Sequence, residues 1–398
     1  MSEAMPGLQQ GYRPRGGAAP SQPWPFDPLL VLAVAALVGL GVVIVASASM
    51  DIADRNLGSP FHYVARQLIF YAAGIAVGWL VVTTPLEQGQ RLSGPGLAAG
   101  FGLLLVVLVV GVEVNGATRW LPLGPVNLQV SEFFKIALLV YIADYIARRR
   151  DEVRSSASGF FKPLLLLAVA GILLLAQPDF GAAVVMAATV LGMLFLAGAR
   201  LWLFAAASGA AAGVVALLVL SAPYRLERVT AFLNPWADPY NSGFQLTQAL
   251  IAFGRGEWLG VGLGSSVQKL FYLPEAHTDF VFAVIGEELG LAGTLTILML
   301  YTLLVLRGLV VARVAEAAGR TFAAYLAYGI ALWMGLQVFI SAGVNMGVLP
   351  TKGLTLPLIS YGGSSVVSTS LLLALLLRVD HENRFAQRHR RGRGAWRT

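Results

Sequence analysis

Cysteine is absent from this chain of 398 residues, and charged residues are scarce. Without cysteine, the protein has neither disulfides nor thiolate metal sites. Asp, Glu, Lys and Arg make up 12% of the chain and hydrophobic residues 57%, whereas soluble proteins carry about 25% charged residues. The mean hydropathy is +0.71. Because a soluble fold does not need this much apolar surface, the composition predicts a polytopic membrane protein.

The net charge of +7 is compatible with a nucleic-acid partner. The cations, however, are gathered in the two tails and a few short loops, which is the distribution that membrane topology produces. We therefore expect no nucleic-acid partner. Residues 1–28 are rich in Gly, Pro and Gln and are predicted to be a disordered tail, and residues 381–398 are predicted to be a basic tail.

Apolar runs of about 17–25 residues, the length that crosses a bilayer, are the main feature between the tails. They lie near 29–49, 67–84, 96–112, 131–147, 163–177, 180–198, 201–221, 279–306, 322–344 and 356–378. The sequence therefore predicts an all-α fold. It consists of a membrane domain of about ten transmembrane helices over 29–380, interrupted by one large polar loop at 222–278.

The distribution of Lys and Arg predicts the orientation of these helices. With both termini in the cytoplasm, inside segments hold 19 of the 28 cations and outside segments hold 9. The opposite orientation reverses this ratio. The loop at 222–278 is therefore expected on the extracytoplasmic side.

The end of that loop carries the densest set of polar side chains beside an apolar run. Lys269, Glu275, His277 and Asp279 lie within eleven residues, and the predicted helix begins at Asp279. A charge at membrane depth costs roughly 2.5–3.5 kcal/mol on insertion scales, so such residues usually line a site. We expect the chemistry here.

Two outer linkers hold further polar candidates. Arg119 and Trp120 precede Glu132 and Lys135, which are spaced i,i+3 on a helix face. A structural ion pair and a direct substrate role both remain open for Glu132 and Lys135. In the turn Gln177-Pro-Asp-Phe180, capping of the next helix is the favoured role of Asp179.

The run between the last two spans, 345–365, contains a single cation, Lys352, in a Gly- and Pro-rich frame. Lys352 fits either a snorkelling side chain or a contact to pyrophosphate. Glu287 lies eight residues after Asp279, about 12 Å along a helix, which is too far for a paired-carboxylate glycosidase. Asp279 is thus predicted to act alone as a base, and Glu287 and Glu288 to be buried polar anchors.

Several runs in order resemble the SEDS family (shape, elongation, division and sporulation) over residues 27–380. They are Arg119-Trp-Leu-Pro-Leu-Gly124 with Ser131-Glu132, Gln177-Pro-Asp-Phe180, Leu273-Pro-Glu-Ala-His-Thr-Asp-Phe280 and Pro350-Thr-Lys-Gly-Leu-Thr-Leu-Pro-Leu-Ile-Ser-Tyr-Gly-Gly-Ser-Ser365. The runs at 234–239, 254–258 and 351–355 favour the cell-division branch of the family over the elongation branch.

The resemblance implies a glycosyltransferase of the bacterial cytoplasmic membrane. Such an enzyme polymerises lipid II into glycan strands at the division septum, with inversion and an undecaprenyl-pyrophosphate leaving group. It works with a cognate class B penicillin-binding protein, a transpeptidase of the FtsI type, and with other divisome proteins. The family's essential loop acid falls on Asp279. No tightly bound cofactor is implied, although a divalent cation, Mg²⁺ or Mn²⁺, would offset charge on the pyrophosphate.

The resulting candidates fall into two groups. Besides Asp279 as catalytic base, the predicted substrate contacts are Lys352, Arg119, Lys269, Trp120, His277, Glu275, Ser360 and Ser364, and the predicted structural polar residues are Glu132, Lys135, Gln177 and Asp179. A lipid II flippase is the alternative, because it needs an amphipathic path for the same substrate. A non-catalytic scaffold would explain the helices but not the polar residues at 268–282.

Overall fold

A computed structural model describes residues 25–114, 116–124, 126–270, 272–351 and 353–394, without the side chains of 114, 224 and 388–394. The first half contains α1 Pro28–Leu57, α2 His62–Thr83, α3 Leu86–Arg91, α4 Ser93–Val110, β1 Val112–Val114, β2 Ala117–Leu123, β3 Val126–Gln129, α5 Val130–Ser155, α6 Ala157–Ala176 and α7 Phe180–Leu196. The second half contains α8 Leu201–Leu220, α9 Pro223–Leu233, α10 Phe244–Gly256, α11 Val281–Ala317, α12 Thr321–Asn345 and α13 Gly363–Gly394.

The predicted all-α membrane fold is confirmed. Within the described residues, eight helices are long and apolar enough to cross a membrane, namely α1, α2, α4, α6, α8, α11, α12 and α13. The other two predicted spans also form helices. They are α7, which is apolar but has only 17 residues, and α5, which ends in a run of charged residues.

Helix α12 lies at the centre of the bundle, where it packs against α5, α7, α11 and α13. Its small residues allow close approach of neighbouring helices. A Cβ at Gly329, for example, would come within 2.8 Å of the sulfur of Met193. In contrast, Leu203 is the one buried residue of α8, so that helix lies at the periphery.

The linker between α4 and α5 is a three-stranded antiparallel sheet, which the sequence did not predict. Gly116 and Gly124 adopt left-handed conformations, with φ of 76° and 68°, next to the strand ends. These turns need glycine, since other residues are strained there. In β2, Trp120 pairs with Gln129 of β3, which fixes both Arg119 and Trp120 on a rigid element.

Several helix ends differ from the predicted ones. The large loop at 222–278 contains the short helices α9 and α10, and α11 begins at Val281, two residues after Asp279. The last helix begins at Gly363, not at 356, because Leu358 has a φ of 65° that no helix accommodates. The same helix continues through 381, so the predicted tail boundary cuts a helix.

Polar contacts explain why these ends belong to the bundle. Asn383 is buried and donates from Nδ2 to the carbonyl of Val311 at 2.9 Å. Asp27, within the predicted N-terminal tail, caps α1 and forms an ion pair with Arg307. Residues 1–24 of that tail, and residues 395–398 of the other, lie outside the described residues.

Helix α11 is interrupted at Gly290, whose φ is 64°. The break leaves backbone groups without intrahelical partners, and the segment 257–262 supplies them. The amides of Val261 and Gly262 donate to the carbonyls of Glu287 and Glu288 at 2.9 and 3.1 Å. The amide of Leu291 in turn donates to the carbonyl of Glu257 at 2.9 Å. The loop and the helix are therefore one hydrogen-bonded unit.

The two acids at this break are buried, as predicted. Glu287 accepts hydrogen bonds from Arg255 at 2.8 Å and from the hydroxyl of Ser266 at 2.5 Å. Glu288 pairs with Lys269 at 2.9 Å and accepts from the hydroxyl of Ser47 on α1 at 2.7 Å. Buried charges persist when they are paired in this way, so both acids tie the large loop to the bundle.

Candidate active site

A cavity of about 370 Å³ lies where the large loop, the sheet and the segment before α13 meet. Its lining is polar for a membrane protein and draws on many elements. The residues are Ala117, Arg119, Trp120, Gln129, Glu132, Asp179, Ala182, Arg228, Gln245, Glu275, Thr278, Asp279, Phe280, Gln337, Thr351, Gly353, Leu354, Thr355, Tyr361, Gly362, Ser364 and Ser365.

Asp279 reaches this cavity because the turn before α11 is held on both sides. The amide of buried Asn345, at the end of α12, donates from Nδ2 to the carbonyl of Asp279 at 2.9 Å. The Oδ1 of Asn345 accepts a hydrogen bond from the backbone N–H of Ala283 at 3.1 Å, which satisfies one of the free N–H groups at the start of α11. Asn345 thus fixes both the loop residue Asp279 and the first helical turn of α11.

The segment before α13 provides the second support. The hydroxyl of Ser360 donates to the carbonyl of Thr278 at 2.6 Å and accepts from the amide of Leu356 at 2.8 Å. The amide of Tyr361 donates to the carbonyl of His277 at 2.9 Å. The two residues directly before Asp279 are therefore bonded to the segment before α13.

The carboxylate of Asp279 is left free for chemistry. Among the described residues, the backbone carbonyl of Asp279 accepts a hydrogen bond and its carboxylate does not. Helix α11 has Phe280 at its N-cap position, with no side-chain cap. Asp279 therefore does not cap the helix, which removes the simplest structural role for this acid.

Burial raises the pKa of Asp279 to about 7, and the negative charge of Glu275 adds to the rise. Arg119 and Arg228 act in the opposite direction. A carboxylate with a pKa near the working pH accepts protons far better than an ordinary exposed one. The site thus holds a group poised for general-base catalysis.

The two described cations of the cavity have different surroundings. Arg119 donates to the carbonyl of Pro178 at 2.7 Å and lies 4.0 Å from Asp179. Arg228, on α9, is exposed and forms no ion pair within the described part of the chain. The sequence candidates include Arg119 but not Arg228, although both flank the same acid.

The floor of the cavity is a network around Glu132. Lys135 donates to Glu132 at 2.5 Å, and the hydroxyl of Ser368 donates to the same oxygen at 2.5 Å. The ammonium of Lys135 also lies 5.0 Å from the ring centroid of Trp333, and Lys135 is buried. Because Glu132 lines the cavity while Lys135 does not, the pair connects the site to the bundle core.

The remaining predicted structural residues are also buried. Asp179 accepts from the amide of Ala182 at 3.3 Å as the cap of α7, and from the hydroxyl of Ser131 at 2.9 Å. Gln177 donates from Nε2 to the carbonyl of Leu104 at 2.9 Å. Both residues fix the turn that Arg119 contacts.

The structure brings only part of the predicted contact set together. Arg119, Trp120, Glu275 and Ser364 line the cavity with Asp279. Three others do not line it: Lys269 pairs with Glu288, His277 packs against Tyr63 and Tyr361 with ring centroids at 4.9 and 5.7 Å, and Ser360 is buried. Lys352 lies outside the described residues.

The site also includes residues that were not among the sequence candidates. Asn345 and Gly353 hold or approach Asp279, and Gln245 and Gln337 add amide groups to the lining. A polar residue at the end of an apolar run, such as Asn345, was the only available signal. No three His, Asp or Glu side chains of the described residues converge to hold a metal ion.

Comparisons with known proteins agree with this architecture. A family model described as a cell cycle protein, covering FtsW, RodA and SpoVE, matches residues 28–385. A probable peptidoglycan glycosyltransferase FtsW from Nitrosococcus halophilus is 55% identical over 378 residues, which cover 94% of this chain and 96% of the relative. A protein described in the same words from Alkalilimnicola ehrlichii is 52% identical and covers 99% of this chain and 98% of its own.

Solved structures show the same fold. A chain from a peptidoglycan synthase complex, studied for the coordination of polymerization and crosslinking, aligns with a TM-score of 0.74 at 32% identity. The rod shape determining protein RodA of Thermus thermophilus aligns with a TM-score of 0.66 at 31% identity. Each alignment covers 90% of this chain and 98% of the solved chain.

Proposed function

This chain belongs to the SEDS family of cell cycle proteins that includes FtsW, RodA and SpoVE, and from that membership we propose that it polymerises lipid II with Asp279 as catalytic base. The enzyme class follows from relatives that are 52–55% identical over nearly the whole chain. The chain is a peptidoglycan glycosyltransferase. Its substrate, its catalytic residue and its place in the cell are parts of the proposal.

The free carboxylate of Asp279, with its pKa near 7, is the observation that carries the proposal. In the reaction, the acceptor sugar hydroxyl loses its proton to Asp279 while its oxygen bonds to the anomeric carbon of the donor. The bond from that carbon to the pyrophosphate oxygen breaks, and the pyrophosphate leaves with the electron pair. Attack opposite the leaving group converts the α-linked donor into a β-1,4 product.

Positive charge near the leaving group favours this displacement. Arg119 and Arg228 are the described cations of the cavity. Lys352 directly precedes Gly353, a residue of the cavity lining, in the sequence. These three are the proposed pyrophosphate contacts. A divalent cation would be held chiefly by the substrate's phosphates, since the described residues offer no group of three His, Asp or Glu side chains to hold it.

The chain is a multi-pass membrane protein, and we place it in the bacterial cytoplasmic membrane at the division septum with both termini cytoplasmic. Reporter fusions after Arg150 and Arg320 should then give cytoplasmic signals, and a fusion at Ser242 an outer signal. An outer signal at Arg320 would refute the orientation.

The proposed partner is a class B penicillin-binding protein of the FtsI type, among other divisome proteins. Apolar side chains on α11 are exposed at helical spacing, namely Leu291, Leu295, Met299 and Leu306. This face suits a single membrane-spanning helix of the partner. Deletion of 385–398 should leave co-purification of that partner intact, and loss of co-purification would show that docking needs the tail.

Asp279→Asn tests the catalytic assignment. The variant keeps size and removes the base, so it should fold, bind lipid II and form no glycan strands. Glu275→Gln is the comparison variant: it removes a neighbouring carboxylate of the same cavity but leaves the base in place, so it should still polymerise, with its pH dependence shifted to lower pH. Polymer close to the wild-type amount from folded Asp279→Asn protein would defeat the assignment. If the chain were instead a lipid II flippase, neither the wild-type protein nor its variants would form polymer.

A further inference from the structure

A second cavity, of about 430 Å³, lies at the other end of the bundle. Arg320, Arg378, His381, Glu382 and Phe385 line it. Arg320 precedes α12, whose far end holds Asn345 beside Asp279. Because α12 has 25 residues, the two cavities are separated by about 37 Å along the helix axis. The second cavity is therefore no part of the active site.

The cavity carries an excess of positive charge. Glu382 is its single acid, and both arginines already use it: Arg378 donates from Nε to Oε1 at 3.0 Å, and Arg320 from Nη1 to Oε2 at 3.2 Å. The amide of Leu86 also donates to Oε1, at 3.1 Å. One carboxylate thus balances one of two guanidinium charges, and the second remains without a counterion in the lining.

Hydrogen-bond donors in this cluster are also unsatisfied. Arg320 Nε and Nη2 are buried and have no partner within the described residues. A buried donor without an acceptor costs about 1–3 kcal/mol. The Nε and Nη2 edge of a guanidinium is the edge that binds two oxygens of a phosphate in parallel. An anion drawn to this cavity by its charge would supply the missing acceptors once this buried edge of Arg320 turns toward it.

The location adds a further argument. Phe385 is 58% exposed, so an apolar ring lies beside the arginines of this cavity. In the proposed orientation, with both termini cytoplasmic, this end of the bundle faces the cytoplasm, where basic pockets between helices recur as sites for anionic lipids. We propose that this cavity binds a phosphate-bearing anion, for which an anionic phospholipid headgroup and free phosphate are the two sources.

Thermal unfolding of the purified full chain in detergent separates the two sources. In one arm, phosphatidylglycerol or phosphatidylcholine is titrated into the micelles. In the other arm, inorganic phosphate replaces chloride at constant ionic strength. A rise of the unfolding midpoint with phosphatidylglycerol alone identifies a headgroup, and an equal rise with inorganic phosphate identifies free phosphate. No rise with either probe overturns the proposal.

Variants then assign the effect to the cavity. Arg320→Gln should raise the half-saturating concentration of the active probe about fivefold, the effect of one cation beside an anionic surface. Arg91→Gln is the control, because Arg91 is exposed and pairs with Glu87 within α3. Arg320→Lys keeps the positive charge opposite Glu382 but loses the guanidinium edge that binds two oxygens in parallel, so it should weaken binding. This variant tests the site even if Arg320→Gln fails to fold. Unchanged binding by the folded Arg320 variants refutes the site.

Discussion

The backbone of Gly353 lies against the carboxylate of Asp279: a Cβ at Gly353 would come within 2.6 Å of Oδ2. Real Cβ atoms do not approach other atoms so closely, so either the loop or the acid must move if a side chain is added. The last outer segment therefore forms one wall of the site and limits where the proposed base can lie.

Gly353→Ala should reduce glycan polymerisation at least about tenfold, because sub-ångström displacement of a base weakens proton transfer. Gly362→Ala is a matched control in the same cavity, since its Cβ would meet its nearest neighbour, the Cβ of Ser365, at 3.6 Å. Polymer assays on lipid II, with thermal unfolding as a check on folding, measure both variants. Equal activity of the two alanine variants would contradict the contact.

The position of Asp279 in the site could be predicted from sequence because of its cost. An acid beside an apolar run is expensive wherever the fold places it, and so it points to a site. The start of α11 was missed by two residues, because an acid before an apolar run resembles a helix cap. In the structure Asn345, 66 residues along the chain, holds this turn instead.

The rate of polymerisation should rise with pH through about 7 as Asp279 loses its proton. Burial raises the pKa of Asp279 most, Glu275 raises it further, and Arg119 and Arg228 lower it. Glu275→Gln should therefore shift the midpoint to lower pH, because the charged base no longer faces a like charge. Arg228→Gln should shift it to higher pH.

Opposite shifts are the signature of this arrangement. Profiles of kcat/KM between about pH 5.5 and 8.5 measure the midpoint of the free enzyme, independently of any loss of rate that removal of Arg228 causes. Arg225→Gln is the control for helix α9, since Arg225 donates to the carbonyl of Leu218 at 3.0 Å and does not line the cavity. Shifts in the same direction, or a flat profile, would exclude Asp279 as the titrating base.

The sequence predicts the helices well and the loops poorly, for a physical reason. Spans of sufficient length and hydropathy have little choice but to cross the membrane. The strands at 112–129 are short and carry no strong alternation. Lys269 was predicted to contact the substrate, whereas in the structure it bonds to Glu288 and Ser47, which are 19 and 222 residues away along the chain. Such pairing depends on the whole fold.

Lys269→Met should destabilise the protein by about 3–5 kcal/mol, because it leaves buried Glu288 without its counterion. Lys162→Met is the control, since its half-exposed pair with Glu152 at 3.6 Å contributes at most about 1 kcal/mol. Chemical or thermal unfolding in detergent measures the difference. A Lys269→Met protein of normal stability that no longer binds lipid II would instead show that Lys269 contacts the substrate, as the sequence predicted.

Asn345→Asp tests whether the backbone of the turn positions the proposed base. The change keeps size but replaces the Nδ2 donor, which now serves the carbonyls of Asp279 and Ser341, both at 2.9 Å. An oxygen there repels both carbonyls and shifts the turn. Because misplacement of about 1 Å can cost on the order of a hundredfold in rate, kcat should fall about 10- to 100-fold. The affinity for lipid II should change little, since Asn345 does not line the cavity.

Asn56→Asp, on the exposed end of α1, controls for the added charge, and thermal unfolding confirms that both variants are folded. A wild-type kcat in folded Asn345→Asp protein would show that the turn keeps Asp279 in place without this amide.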